Sequence, residues 1–494
     1  MSLSTTSCSL LLACALAACG GGDEGHGPAA PATSAPAPAR PPDVVFVSID
    51  SLRADHLGCY GYPKPTSPTI DRLAAEGVRC ATAVTTTSWT LPAHAAMLTG
   101  LFDSSHGLVD NGLELAPGHD TLAESMRAAG YQTAGFFGGP YLHASYGFAQ
   151  GFDRYQSCMT VIADDASVEE IRTGTTGWLA RGEVENVTGP RTVAEVGSWL
   201  GGVDERPLFL FVHLFDVHYD YIPPKAFLDL FDPDYTGSLD ARKLPENPAI
   251  HPGMDPRDLE HLLALYDGEI RFTDDTLAKI LALLDARGRL ADALVVVTSD
   301  HGQEFFEHGG KAHQRSLFEE VIRVPLIVRW PGRIAAGKVV PDLVRTVDLM
   351  PTILAAVGAP APGPFDGRDL APLFRGEALP ESPALCELLV DGAGLRALRR
   401  TTWKFMSNER NGFSAGFDLA ADPGEKTFLP KGSEELARGL ADLERTVAAA
   451  RRSYADRGAR AQAITVDPEL EKRLRGMGYV GDEDTSPPAP ERDD

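Results

Sequence analysis

The stretch LVVVTSDHGQEFFEHGGK, residues 294 to 311, is the part of the sequence from which the fold is best inferred. Its first five residues, Leu294 to Thr298, are rich in β-branched side chains, which is typical of a strand buried on both faces. Asp300 and His301 follow this strand directly. Open α/β sheets bind ligands at the carboxyl ends of their strands, and a carboxylate beside an imidazole suits a metal ion. Taken alone, the pair is about as typical of a helix cap followed by a surface histidine.

A second stretch, DVVFVSI near the N-terminus, predicts another buried strand, which ends at Asp50. Parallel strands in one sheet bring their carboxyl ends to the same edge. The sequence therefore predicts a metal ion held by Asp50, Asp300 and His301. In the alternative interpretation, Asp50 caps the next turn and Arg53 pairs with Asp55 on the surface.

The segment TLPAHAAMLTG predicts a helix that begins at Thr90, with Pro92 near its first turn. A hydroxyl at this place faces unpaired amide hydrogens and the positive end of the helix dipole. Both would stabilise an alkoxide and the phosphate or sulfate that it attacks. Thr90 as an ordinary N-cap is the simpler interpretation when the segment is considered alone.

A third buried strand, LFLFVHL, leads to Asp216 and His218. An imidazole can donate a hydrogen bond to an anionic oxygen or supply a proton near neutral pH. His213 lies inside the strand and is interpreted as a core histidine. A long amphipathic helix is predicted from Asp258 to Arg287, and a solvated face is expected to hold most of its carboxylates, Asp267, Glu269, Asp274 and Asp275.

These segments, together with GLFDSSHG, YDGEIRFTDDTLAKIL, VIRVPLIVRWPG and VDLMPTIL, resemble the sulfatase family of the alkaline-phosphatase superfamily. The resemblance covers most of residues 43 to 430, in the family's order. It implies a doubly wound α/β domain with a mixed sheet (43–380) and a smaller antiparallel C-terminal subdomain (381–480). It also implies a divalent-metal site that cleaves sulfate or phosphate esters.

The resemblance assigns roles to individual positions, with Lys311 or His313 as the basic residue that binds ester oxygens. His308 is as well explained as a turn residue in a glycine-rich loop. The implied catalytic residues are Thr90, His218, Lys311 and His313; the substrate-binding residues are Arg53, His94 and His308; the metal ligands are Asp50, Asp300 and His301.

Three positions depart from the family pattern. Thr90 replaces the Cys or Ser that becomes formylglycine, His94 replaces an Arg, and Ser51 replaces a second metal-binding Asp. Oxidation of a threonine can give only a ketone, so no formylglycine is expected and Thr90 should act as a hydroxyl. This favours phosphoesters or phosphonates, whereas the overall resemblance favours sulfate esters. A phospho-group transferase and an inactive glycan-binding lipoprotein are the alternative functions.

One divalent cation is expected, and Ca, Mg, Mn and Zn all remain candidates, with the imidazole slightly favouring Mn or Zn. The histidines His218, His308 and His313 leave room for a second metal. The Asp-x-x-x-His spacing of the two-zinc relatives is absent, which favours a single ion.

The chain of 494 residues carries a formal net charge of −24, which argues against nucleic acid as a partner. An anionic ester, glycan- or lipid-linked, is the expected substrate. Residues 1–19 resemble a bacterial lipoprotein signal that ends at a lipidated Cys19, although residues 1–7 lack Lys and Arg. A flexible linker (20–42) and an acidic, disordered tail (481–494) are also predicted. We therefore expect an exported protein, anchored by lipid in the outer membrane and facing the periplasm or the cell surface.

Overall fold

The structure, a computed structural model, describes residues 40–159, 188–389 and 394–464. The predicted signal with Cys19, most of the linker and the acidic tail lie outside these residues. The strands are β1 (Val44–Ile49), β2 (Val78–Val84), β3 (Leu113–Glu114), β4 (Gln132–Phe137), β5 (Arg154–Ser157), β6 (Leu208–Leu214), β7 (Leu294–Ser299), β8 (Glu304–Phe305), β9 (Lys311–Ala312), β10 (Arg323–Val324), β11 (Leu326–Arg329), β12 (Lys338–Arg345), β13 (Ala384–Leu388), β14 (Leu395–Arg399), β15 (Trp403–Asn408), β16 (Phe413–Asp418) and β17 (Gln462–Ala463). The α-helices are α1 (Pro68–Glu76), α2 (Thr90–Thr99), α3 (Asp103–His106), α4 (Leu122–Ala128), α5 (Gly189–Leu200), α6 (Lys225–Leu228), α7 (Pro256–Asp285), α8 (Glu319–Ile322), α9 (Leu349–Val357), α10 (Ala371–Arg375) and α11 (Glu434–Arg457).

The central sheet of the described residues has the strand order β10-β2-β11-β7-β1-β6-β4-β5, and β12 pairs with β2. Strands β7, β1, β6, β4 and β5 are parallel to one another, whereas β11 runs antiparallel to β7 and β2. Parallel strands require crossover connections, which the intervening helices supply. The mixed, doubly wound α/β fold expected from the sequence is confirmed.

Both faces of the central sheet are covered, as the apolar composition of its strands predicts. Successive side chains of a strand point to opposite faces, and in β1 Val44 and Phe46 join one hydrophobic cluster while Val45 and Val47 join another. The first cluster also contains buried residues of α2, α4 and α9, and the second contains those of α1, α5 and α7. Polar side chains at the strand ends are therefore held between two packed layers.

The carboxylates of helix α7 were expected to lie mostly on a solvated face, and this expectation was wrong. Three of them are buried: Asp267, Glu269 and Asp274. Each has a specific partner. Asp267 accepts hydrogen bonds from Tyr62 and Lys64, Glu269 accepts from a backbone amide, and Asp274 accepts from the first amides of α1. Buried carboxylates are stable when paired in this way, and charge spacing along a helix does not reveal such partners.

The smaller sheet is antiparallel, with the strand order β13-β14-β15-β16. Helix α11 packs against it through an apolar stripe that includes Leu443, Val447 and Ala450, together with Leu385 and Leu398 of the sheet. The small antiparallel sheet expected in the C-terminal part of the chain is confirmed. Among the described helices, none is long and apolar enough to cross a membrane.

Candidate active site

The candidate site lies where the parallel strands β1 and β7 end. The register pairs Ile49 with Ser299, so Asp50 and Asp300 follow at the same level on neighbouring strands. Ligand atoms of Asp50, Asp300 and His301 lie within 4.8 Å of one another, and all three residues are buried. The structure thus brings together the three residues predicted from two distant segments.

The loop after β1 is held in an unusual conformation. Ser51 has a φ of 55°, in the left-handed region that a non-glycine residue adopts at some cost. This turns its amide toward Asp300 Oδ1, to which it donates a hydrogen bond of 3.1 Å. The Tyr266 hydroxyl of α7 holds the loop by donating to the Ser51 carbonyl at 2.7 Å and accepting from the Arg53 amide at 3.0 Å. The strained turn therefore links the two predicted metal carboxylates.

The side chains of Asp50, Asp300 and His301 suit a divalent cation. Asp300 Oδ2 is buried, and within the described parts of the chain it has no hydrogen-bond partner. His301 Nδ1 lies 2.9 Å from the Gly302 carbonyl, which must accept its hydrogen, so the Nε2 atom carries the lone pair that a metal needs. Two carboxylates and one imidazole are a donor set that first-row divalent ions accept.

The two buried carboxylates differ in their electrostatics. Burial by itself would raise the pKa of Asp50, but His218, His213 and His301 outweigh it and hold the pKa well below its ordinary value. Burial and the neighbouring charge of Asp50 raise the pKa of Asp300 to about 6. A bound cation would relieve the repulsion between the two carboxylates and favour the ionised form of both.

Thr90 is the first residue of α2, and Trp89 occupies the N-cap position without a side-chain cap. The Thr90 hydroxyl is therefore not used for capping. Its Oγ1 lies 3.4 Å from Asp50 Oδ2 and 3.2 Å from His301 Nε2. A hydroxyl beside two predicted metal ligands, at the start of a helix, is placed to act as a nucleophile.

Two further histidines, His94 and His213, contact Thr90 and Asp50. His94 donates from Nδ1 to the Thr90 carbonyl at 2.8 Å, and its Nε2 lies 3.0 Å from Ser48 Oγ. Both ring nitrogens of His94 thus have partners within the chain, and its assignment to substrate binding stays a prediction. His213 Nε2 lies 3.2 Å from Asp50 Oδ2, so His213 belongs to the site and its interpretation as an ordinary core histidine is corrected.

His218 and His313 lie on the other side of His301. The ring centroid of His313 is 4.2 Å from that of His301 and 4.9 Å from that of His218. His218 Nδ1 is 2.6 Å from the Tyr219 carbonyl, and His313 Nδ1 is 2.8 Å from Gln303 Oε1. Burial lowers the pKa of His218 to about 4 and the pKa of His313 well below its ordinary value. Both rings are therefore neutral near pH 7 when no substrate is bound.

The structure does not bring Arg53, His308 or Lys311 into this group. The Arg53 guanidinium pairs with Asp55 and Glu307, and His308 Nδ1 lies 2.6 Å from Glu320 Oε1. Both residues line a cavity of about 190 Å³, and the residues around Thr90 are not among those that line it. Lys311 Nζ donates to the backbone carbonyls of 247 and 250 at 2.7 and 2.8 Å. Their assignment to substrate or catalysis stays a prediction.

Sequence reasoning missed two residues at the site. His213 carried a weak signal, because a histidine in an otherwise apolar strand is unusual and this strand pairs with β1. Tyr266 carried none, because its hydroxyl meets Ser51 only through the packing of α7 on the sheet.

A model of the family described as Sulfatase matches residues 42–359. An ulvan-active sulfatase from Formosa agariphila is 26% identical over 78% of this chain and 77% of its own length. Arylsulfatase A from Homo sapiens is 27% identical over 68% of each chain. In the solved structure of a phosphonate monoester hydrolase from Agrobacterium radiobacter the fold is the same, with a TM-score of 0.66 and 22% identity over 85% of this chain and 97% of that one.

Proposed function

Because the chain belongs to the sulfatase family and is an ester hydrolase, we propose that it cleaves sulfate or phosphate esters with Thr90 as nucleophile and one divalent cation. The position of the Thr90 hydroxyl carries this proposal. It begins a helix, is not used as a cap, and lies within 3.4 Å of both Asp50 and His301. The cation, when bound by Asp50, Asp300 and His301, would favour the alkoxide and offset charge on the ester oxygens.

In the proposed reaction, Thr90 Oγ1 attacks the sulfur or phosphorus atom, and the bond to the leaving alcohol breaks. The hydroxyl proton has an acceptor in Asp50 Oδ2. His218, whose ring becomes protonated more readily beside an anionic ester, gives a proton to the leaving alcohol. Water then hydrolyses the ester on Thr90: its oxygen bonds to sulfur or phosphorus, the bond to Thr90 Oγ1 breaks, and His218 takes a proton from the water. Asp50 returns its proton to Thr90 Oγ1, and sulfate, a phosphate monoester or a phosphonate is released, according to the substrate.

The charge around the site favours a monoanionic ester. The two predicted cationic side chains, Arg53 and Lys311, are held by other partners, and burial lowers the pKa of His218 and His313, so these two rings are neutral. One divalent cation and two carboxylates leave no net positive charge to bind a dianion. We therefore favour sulfate esters, phosphodiesters and phosphonate monoesters over phosphate monoesters. Relatives named for sulfatase chemistry and a fold relative named for phosphonate monoesters make both chemistries worth testing.

The test uses aryl sulfate, phosphate monoester, phosphodiester and phosphonate monoester substrates with one shared leaving group. Each is assayed with Mn, Zn, Ca and Mg in turn. Thr90→Ala should lower kcat/KM by about 1,000-fold or more, because it removes the attacking oxygen. Thr99→Ala, which removes a hydroxyl bonded to the Ala95 carbonyl in the same helix, is the matched control and should stay active.

Turnover that survives Thr90→Ala would refute the nucleophile assignment. Mass spectrometry of the peptide that contains Thr90 should show an unmodified threonine. Inertness toward all four ester classes with every metal would instead favour the binding-lipoprotein alternative.

A further inference from the structure

His213 is a polar residue in a place that suits an apolar one. Its strand β6 reads LFLFVHL, and every residue of the strand is buried. His213 Nδ1 is buried and lacks a hydrogen-bond partner among the residues that the structure describes. A buried polar atom without a partner destabilises the fold, and a leucine of similar size would avoid this loss.

The other ring nitrogen explains what this residue contributes. His213 pairs in register with Ser48, two residues before Asp50, so its ring reaches the end of β1. Nε2 lies 3.2 Å from Asp50 Oδ2, and since a carboxylate can only accept, Nε2 carries the hydrogen.

Among the residues that the structure describes, three side chains donate hydrogen bonds to the Asp50 carboxylate. Oδ2 accepts from His213 Nε2 and from Thr90 Oγ1, and Oδ1 accepts from Ser51 Oγ at 2.7 Å. A carboxylate has about four lone-pair positions, so these bonds leave about one for a cation. The orientation of that remaining position depends on the donors that hold the carboxylate.

We propose that His213 is a positioning residue, which orients the Asp50 carboxylate for both the cation and the Thr90 hydroxyl. His94 helps to fix Thr90 in the same arrangement, because its ring donates to the Thr90 carbonyl while the Thr90 hydroxyl faces Asp50. Hydrogen bonds to metal-ligating groups typically change metal affinity 10- to 100-fold when they are removed. The inference rests on the proposed metal-dependent function, but it concerns affinity for the ion and not turnover.

The experiment measures binding of Mn²⁺ alone to the metal-free protein, from the electron paramagnetic resonance signal of the unbound ion, together with the melting temperature. In His213→Leu we expect a Kd weakened by about 10- to 100-fold and a melting temperature that is unchanged or higher. His213→Gln keeps an N–H donor in the side chain and should recover part of the affinity. His119→Leu removes a buried histidine that bonds to the His106 carbonyl, so it should lower the melting temperature and leave the Kd unchanged.

Wild-type affinity in His213→Leu would overturn the inference, and so would weak binding combined with a lower melting temperature, which indicates a purely structural role. Asp50→Asn separates these results from failure of the metal site. If the wild type binds Mn²⁺ and Asp50→Asn does not, the site stands whatever His213→Leu does. If the wild type binds none of Mn²⁺, Zn²⁺, Ca²⁺ and Mg²⁺ at millimolar concentration, the last three measured by calorimetry, both the inference and the metal-dependent function are refuted.

Discussion

Removal of one oxygen, in Tyr266→Phe, should destabilise the loop that joins the two metal carboxylates. The hydroxyl donates to the Ser51 carbonyl and accepts from the Arg53 amide, and all three residues are buried. Each lost bond costs about 1 kcal/mol, and a buried group left unpaired costs about 1–3 kcal/mol. The expected loss of unfolding free energy is therefore about 2–4 kcal/mol.

An unfolding entropy of about 2 cal/mol/K per residue converts this loss, for a domain of roughly 400 residues, into a fall of about 2–5 °C in melting temperature. Differential scanning calorimetry of the metal-free protein measures it. Tyr146→Phe is the matched control, because its buried hydroxyl has no hydrogen-bond partner among the described residues. That variant should melt within about 1 °C of the wild type.

Tyr266→Phe should also weaken Mn²⁺ binding, because it releases the carbonyl of Ser51, and the amide of the same residue donates to Asp300 Oδ1. Equal melting temperatures for the two tyrosine variants would refute the reasoning. A lower melting temperature with unchanged Mn²⁺ affinity would show that the loop does not control the carboxylates.

Three further predictions concern two buried carboxylates, Asp216 and Asp274, and the N-terminus. Burial raises the pKa of Asp216 to about 7, so the folded state binds its proton more tightly than the unfolded state and stability should fall, by roughly 4 kcal/mol, as the pH rises from 4 to 7. Thermal unfolding across that range should show a flatter profile for Asp216→Asn, and an unchanged profile would contradict this origin. Asp274→Ala should lower the free energy of unfolding by about 1–3 kcal/mol, because the first amides of α1 lose their acceptor. The control Asp275→Ala, at a half-buried position, should change it by about 0.5 kcal/mol or less. Equal melting temperatures for the two variants would argue against the capping role of Asp274. Cys19→Ser should move the protein from the membrane fraction to the soluble fraction, and identical fractionation of both forms would count against a lipid anchor.

Several features of the site were predictable because they depend on local sequence. Apolar runs that end in Asp50 and in Asp300 with His301 predicted two buried strands with metal-binding side chains at their carboxyl ends. The segment at Thr90 predicted a helix start, and the structure begins α2 at that residue. The order of the motifs identified the family, which the matching family model confirms. Strand periodicity and helix-start signals are properties of neighbouring residues, so a single sequence contains them.

Only the tertiary structure decided which polar groups meet. The register of β1 between β6 and β7 places His213 against Asp50, and the packing of α7 carries Tyr266 to Ser51 and buries Asp267. It also directs Arg53 toward Asp55 and Glu307. Hydrogen bonds act over about 3 Å, whereas these partners, apart from Asp55, are separated by well over a hundred positions in the chain. The sequence therefore determined which chemical groups this protein has at its strand ends. Three-dimensional packing determined which of them lie at the site, which hold those residues in place, and which are paired elsewhere.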